Sequence, residues 1–394
     1  MKYQIQEVNT KKREKQFINL PVSLYKNEKN WIRPLDKDIQ KTFDPKRNKY
    51  FRHGKAIRWI LTETSTGKVV GRVAAFVDKK TANKKNEQPT GGMGFFECVD
   101  NQEAANILFD TAKNWLQGNG MEAMDGPINF GDRNENWGLM VKGDFPPNYG
   151  MPYQFPYYQK LFENYGFKVF FRQLTYHRKI IPGQIDLIPR VIEKAEAVLA
   201  DPNYSFQHVN MTHFHQYAEE LRQIYNKAWA KFVGLGDMSK PQASALIKKL
   251  KPLIDPRLFW IGYYKKEPVA MFLSLPDLNQ AFKHVNGKLN WLGKLKLLYI
   301  LRTGKIHKAI GTLFGVVPDH QGKGVEAAIV MAFAKYISRY KKFQYTDLEM
   351  NWIGDFNPKM MRIAEQVGGK ILKVHHTYRY LFDQTKPFTR MPIH

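Results

Sequence analysis

Apolar and polar positions along the first third of the chain fall into patterns that predict strands first and helices after. Residues 56–63 and 68–78 are two strand-like runs around the turn Ser65-Thr66-Gly67, which makes them a hairpin. A third strand is expected at 93–99. From 102 to 117 the period changes, and Ala105, Leu108, Phe109, Ala112, Trp115 and Leu116 share one helical face. Gly118-Asn119-Gly120 stops that helix. A strand at 123–128, a helix at 157–165 and a strand at 169–178 complete the first half. Residues 1–56 read as a lysine-rich polar head followed by short mixed segments at 17–25 and 31–39, broken by Pro21 and Pro34.

The second half repeats the programme. A linking helix at 185–199 leads to a strand at 204–209, helices at 214–232 and 241–254, and a hairpin from 258–264 and 268–275. A strand at 313–317 runs through a glycine turn into a helix at 327–336, and strand 345–352, helix 359–366 and strand 371–382 follow. A shift of 202 residues pairs Pro156 with Pro358, Glu163 with Glu365, Gly166 with Gly368, Lys168 with Lys370, Thr175 with Thr377 and Tyr176 with Tyr378. A shift of 223 pairs Glu103-Ala104-Ala105 with Glu326-Ala327-Ala328. The order of elements and the two ungapped matches predict a duplication, with lobes at 1–182 and 183–394.

Composition narrows the class. A chain of 394 residues is long enough for two or three domains, and 43% apolar with 14% aromatic content can fill their cores. The single cysteine, Cys98, excludes an intramolecular disulfide and a multi-cysteine zinc site, and reads as a buried thiol. No pattern of side chains suggests a bound metal. Residues 1–6 lack an apolar signal core and no uncharged run reaches membrane-spanning length, so a cytoplasmic chain is expected. The net charge of +25 favours anionic partners, but the basic residues are spread widely and do not single out nucleic acid.

Two stretches carry candidate chemistry. In Gly315-Val316-Val317-Pro318-Asp319-His320-Gln321-Gly322-Lys323-Gly324-Val325-Glu326, glycines sit at a helix start. There the backbone can approach a ligand closely, and the first helical amides are unpaired and partly positive, which suits a phosphate. The second stretch, 126–138, is dense in glycine, asparagine and acid directly after a strand, where a loop on a rigid scaffold can line a site.

Hairpin, strand, glycine turn, helix, strand, helix and strand, with Val-x-Pro-x-x-Gln-Gly-x-Gly-Val, resemble the acyl-CoA-dependent N-acyltransferases of the GNAT superfamily. The resemblance implies an α+β fold class: two tandem GNAT-like lobes, each a mixed, mostly antiparallel sheet flanked by helices. It implies that Gln321, Gly322, Lys323, Gly324 and Val325 cradle the pyrophosphate of coenzyme A, with Val316 and Val317 along the pantetheine. At the matching turn the N-terminal copy has Asp100-Asn101-Gln102, without glycine and with an added negative charge, so donor binding is expected in the C-terminal lobe alone. Many members carry a tyrosine that protonates the departing thiolate; here the matching positions are Phe162 and Ala364. The whole chain also resembles a bacterial family of two-lobed GNAT-like proteins, through Phe51-Arg52-His53-Gly54, Gly94-Phe95-Phe96-Glu97-Cys98, Gly126-Pro127-Ile128-Asn129 and Pro156-Tyr157-Tyr158. Some relatives look like bacterial ceramide synthases, which N-acylate a sphingoid base with a fatty acyl thioester.

Acyl transfer to an amine needs a base for the proton the amine loses. Glu135 heads the candidates, with Asn134 and Asn136 beside it. Glu97 and Glu349 follow on central strands, and Asp347 shares the face of Glu349. Tyr158 and Tyr378 are offered as replacement acids, and Asn129, Asn134, Tyr157 and Glu349 as acceptor contacts. Of His375 and His376, adjacent on a strand, only one can face a given cleft. The expected reaction moves an acyl group from acyl-CoA or acyl carrier protein to a small-molecule or lipid amine, without a metal. The alternative is a duplicated protein that has lost chemistry and binds nucleic acid or anionic lipid through its basic surface. Residues 288–302 mix apolar side chains with Lys294, Lys296 and Arg302, which suits an element on an anionic inner-membrane surface, the lining of a long acyl channel, or a helix packed on the sheet.

Overall fold

The protein was analysed as a computed structural model that describes residues 1–83, 86–132, 135, 137–184, 187–228, 237–340 and 343–393. Its first half contains β1 (Tyr3–Glu7), α1 (Lys11–Leu24), α2 (Asp36–Thr42), β2 (Gly54–Glu63), β3 (Val69–Asp78) and β4 (Thr90–Cys98). Then come α3 (Gln102–Gln117), β5 (Ala123–Gly126), β6 (Leu139–Lys142), α4 (Tyr158–Tyr165) and β7 (Lys168–Lys179). The second half contains α5 (Pro189–Ala200), β8 (Tyr204–His208), α6 (Phe214–Ala228), α7 (Lys240–Leu250), β9 (Phe259–Tyr264), β10 (Glu267–Pro276) and α8 (Asn279–Phe282). It ends with α9 (Trp291–Arg302), β11 (Lys308–Val316), α10 (Val325–Ile337), β12 (Asp347–Gly354), α11 (Pro358–Gln366) and β13 (Lys370–Leu381). The tail of the helix expected to reach 232 lies outside the described residues, as does Asn134.

Among the described residues the strands form one thirteen-stranded sheet, in the order β1-β2-β3-β4-β5-β13-β7-β12-β11-β10-β9-β8, with β6 on β13. The middle of that order holds an exchange: β7 pairs with β12, while β13 pairs with β5. Each half thus donates its last strand to the other half's sheet. Helix α3 lays Leu108, Phe109 and Ala112 on the N-terminal sheet, where Phe96 and Phe109 stack at 4.7 Å. Helix α10 buries Ala328, Met331 and Phe333 on the C-terminal sheet. Cys98 is buried in the N-terminal core, and burial raises its thiol pKa to about 12.

The first 24 residues depart from the sequence reading. The polar head forms β1 on the edge of β2, and α1 runs through Pro21. A proline inside a helix leaves the carbonyl four residues back without its donor. Here Phe17 O is that carbonyl, and it accepts a 2.7 Å bond from Arg72 Nη1 inside the core. The guanidinium repairs the break.

Candidate active site

Strands β11 and β12 run parallel from Lys308 opposite Asp347 to Gly311 opposite Met350, then part. The wedge between them is a cavity of about 350 Å³, lined by Thr312, Phe314, Val330, Phe333, Met350 and Trp352 among others. It is mainly apolar, with Arg178, Gln184 and Asn351 supplying polar groups. A volume in this range suits a ligand of modest size or an extended chain.

Beyond the wedge β11 enters the glycine turn. Gly322 has φ +73° and a side chain there would meet nothing within 4 Å, so the space beside its Cα is open. Gly324, φ +93°, is glycine for another reason: a Cβ would stand 2.8 Å from Lys194 O on α5. Gln321 Nε2 donates to Val316 O at 2.8 Å and ties the turn to its strand. Val316, Val317 and Val325 are buried in the cores beneath it, and Lys323 is exposed. The N-terminus of the 13-residue helix α10 fits an anion here. One carboxylate already answers it, since Gly322 N–H donates to Glu326 Oε1 at 3.3 Å.

A second cavity, about 160 Å³, lies where the lobes meet and is lined by Asp38, Arg72, Glu97, Asn129, Glu135 and Tyr149 among others. It brings together residues that the sequence scatters over more than a hundred positions. Asp38 accepts from the Tyr149 hydroxyl at 2.9 Å. Glu135 stands over Gly150, and although the residue reaches solvent, burial of its carboxyl group raises the pKa, with Lys249 opposing. Burial likewise raises Glu97, against Arg72 at 3.3 Å and the hydroxyls of Tyr25 (2.7 Å) and Tyr158 (2.9 Å). Asn129 lines this cavity while its Oδ1 accepts from Phe95 N–H at 2.9 Å.

Other expected residues lie elsewhere. Tyr158 is fully buried behind Glu97, its hydroxyl donating to that carboxylate and accepting from Cys98 N–H at 3.0 Å. Tyr157 donates to Cys98 O at 2.7 Å. Tyr378 is buried among N-terminal aromatics and donates to Glu163 at 3.0 Å. All three tyrosines therefore make core contacts, and none of them lines either cavity. Glu349 lines neither cavity: it is buried between Lys308 (3.0 Å) and Lys373 (2.8 Å), which outweigh burial and hold its pKa low. Asp347, the first residue of that strand and two positions before Glu349, has His177 at 2.8 Å and Lys179 at 2.7 Å.

The sequence reading overlooked the polar face beneath the seam. Strand β13 turns Lys373, His375, Thr377 and Arg379 to one side, all buried. Arg379 pairs with Asp125 at 2.6 Å. Burial, reinforced by the Lys373 cation, lowers the His375 pKa to about 3 and keeps the imidazole neutral. Neither ring nitrogen makes a hydrogen bond among the described residues, and the Pro152 backbone beside it lies outside bonding geometry. His376 points away, toward Tyr378 at 3.3 Å. The alternation along β13 was the available signal, but four polar side chains read as a solvent face.

Asn148 connects the two cavities. Its Nδ2 donates to Glu349 at 2.8 Å and to Asn351 Oδ1 at 3.3 Å. Asn351 lines the wedge, while Pro147 and Tyr149 line the acidic cavity. Among the described residues no cluster of side chains could hold a metal ion.

No protein-family model matches the sequence. The chain is 28% identical over 381 residues to the bacterial ceramide synthase of Caulobacter vibrioides, covering 94% of this chain and 95% of that one. It is 26% identical over 376 residues to protein YghO of Escherichia coli, covering 92% of each. Among solved structures, a tandem GNAT protein from the clavulanic acid biosynthesis pathway superposes with TM-score 0.53 at 11% identity, over 98% of this chain and 100% of that one. The GCN5-related glucosamine N-acetyltransferase region of a fungal multi-domain GH3 β-N-acetylglucosaminidase gives TM-score 0.53 at 11% identity, over 96% of this chain, which spans 38% of that chain's length.

Proposed function

We propose that this chain, which shares the fold of a tandem GNAT protein, is an N-acyltransferase that moves an acyl group from a thioester, acyl-CoA or acyl carrier protein, to an amine. The observation that carries the reading is the open apolar wedge beside a glycine turn that offers free space and a helix start to a phosphate. The name of the Caulobacter relative makes a sphingoid base the first acceptor to try. The acidic cavity supports that choice, because carboxylates at Asp38 and Glu135 attract an ammonium group and then face the amine once it is neutral.

In this reading Glu135 takes the proton that the amine sheds as its nitrogen bonds to the thioester carbonyl carbon. The carbon–sulfur bond then breaks and the thiolate takes a proton from solvent, since Phe162 and Ala364 stand where an acid is usual and Tyr158 and Tyr378 are engaged elsewhere. Asn129 contacts the acceptor from the cavity wall, and Gln321, Gly322, Lys323, Gly324 and Val325 form or support the donor's phosphate site, with Val316 and Val317 behind it.

Glu135→Gln tests the assignment. The raised Glu135 pKa means that activity needing the carboxylate falls as pH drops through a value above the ordinary one. The variant should lose about 10²-fold or more in kcat and lose that acid limb, with donor binding by calorimetry unchanged. An unchanged kcat removes Glu135 as base. A wild-type protein that binds no acyl thioester overturns the enzyme reading and leaves the alternative of a non-catalytic binder.

A further inference from the structure

We propose that α9 is a docking helix that seats the protein on an anionic lipid bilayer. The helix exposes a stripe of large apolar side chains, with Trp291 at 69%, Leu292 and Leu295 at 56%, Leu298 at 43% and Tyr299 at 58%. Positions 291, 295, 298 and 299 recur at helical spacing, so the stripe is continuous. The opposite side is buried through Gly293 and Ile300. An apolar face of this size in water marks an interaction surface.

Its charge setting selects the partner. From Asp277 to Asp319 the sequence has no acidic residue between, and seven lysines and arginines. Lys283, Lys288, Lys294, Lys296, Arg302 and Lys305 are exposed, and among the described residues none of them is in an ion pair. Lys283, Lys296 and Lys305 also add to burial in lowering the His284 pKa, which locates the positive field on this edge. Protein interfaces are depleted in lysine, whereas a tryptophan, a tyrosine and leucines bordered by lysines match the boundary of an anionic bilayer. No described helix is long and apolar enough to cross a membrane, so α9 lies along the surface.

The inner face of α9 leads to the acidic cavity. Leu297 and Leu301 pack on a cluster containing Leu35 and Phe282, and those two side chains wall the cavity. Resting on the acyltransfer reading above, this arrangement makes the acceptor an amine with an apolar tail dissolved in the bilayer: the head meets the carboxylates and the tail stays near α9.

Co-flotation tests the docking. The whole protein is mixed with vesicles of phosphatidylcholine alone, or of phosphatidylcholine with an equal part of phosphatidylglycerol. The expected result is flotation with the anionic vesicles only, weakened by salt. The double variants Leu295→Ser/Leu298→Ser and Lys294→Glu/Lys296→Glu should each cut the bound fraction about tenfold, with donor affinity by calorimetry unchanged. Wild-type protein that stays behind, or variants that float equally, overturn the proposal. So does light scattering that shows a dimer broken by Leu295→Ser/Leu298→Ser without flotation, which assigns the face to a second copy. Flotation needs no catalysis, so loss of donor binding with flotation intact sinks only the acyltransfer reading.

Discussion

The two lobes carry the same wedge in opposite states. In the C-terminal lobe β11 and β12 part after Gly311 and Met350, and a cavity opens between them. In the N-terminal lobe β4 and β5 pair in parallel from Thr90 opposite Ala123 to Gly92 opposite Asp125, then meet their own chain. Ile128 N–H donates to Met93 O at 2.8 Å, and Asn129 Oδ1 accepts from Phe95 N–H at 2.9 Å. A Cβ on Gly94 would lie 1.9 Å from Ile128 O. The segment after β5 has therefore taken the space that a donor's chain would use, and its following residues, Asn129 and Glu135, wall the acidic cavity instead. Duplication supplied two clefts; one closed on itself and became part of the other's surroundings.

Adding a methyl group on each side breaks the comparison most sharply. Gly94→Ala should cost about 3 kcal/mol of folding stability in urea melts, because backbone rather than a mobile side chain stands in the way. Gly311→Ala, whose Cβ would meet Met350 Cγ at 3.4 Å, should stay within about 1 kcal/mol of the parent. Equal losses would mean that the N-terminal wedge is no tighter than the C-terminal one.

Filling the open wedge comes next. Val330→Trp should weaken acyl-donor binding about 100-fold, or ~2.7 kcal/mol, in calorimetry while the protein remains folded. Undiminished affinity would take the donor out of this cavity. The smallest effect concerns charge at the glycine turn. Glu326→Gln removes the carboxylate that holds Gly322 N–H, and should tighten binding of free coenzyme A by roughly 0.3–1 kcal/mol. Weaker binding would show that Glu326 supports the phosphate site rather than competing for it.

Much of this architecture is legible in the residues. Period-two and period-3.6 patterns mark the hairpins, α3 and α10, and the glycine turn is read from Gly322 and Gly324 because positive φ at a helix start has few other solutions. What stays hidden depends on distant partners. Pro21 signals a break that Arg72 repairs from 51 positions away, so no local reading of α1 could anticipate it. Likewise Lys373, His375, Thr377 and Arg379 look like a wet strand face until residues 138–146 close on Lys373 and His375, Gln173 bonds Thr377 and Asp125 pairs with Arg379. Glu135 and Asn129, singled out because they follow a strand, line the acidic cavity, whereas the Asp38 and Tyr149 beside them come from segments whose only link is folding. The tyrosines failed as clues for a plain reason: a phenol beside a carboxylate is common in cores, and Glu97 and Glu163 sit within reach of Tyr158 and Tyr378.

The exchange of β7 and β13 also limits how the molecule can move. A hinge between lobes needs a narrow joint, and here two twelve-residue strands are sewn side by side, each bonded to the far half as well. Clamshell opening would tear the centre of the sheet. Any ligand of the acidic cavity would instead have to pass the elements that line it at the periphery, α2 and residues 147–154, while the joined strands between the lobes stay still.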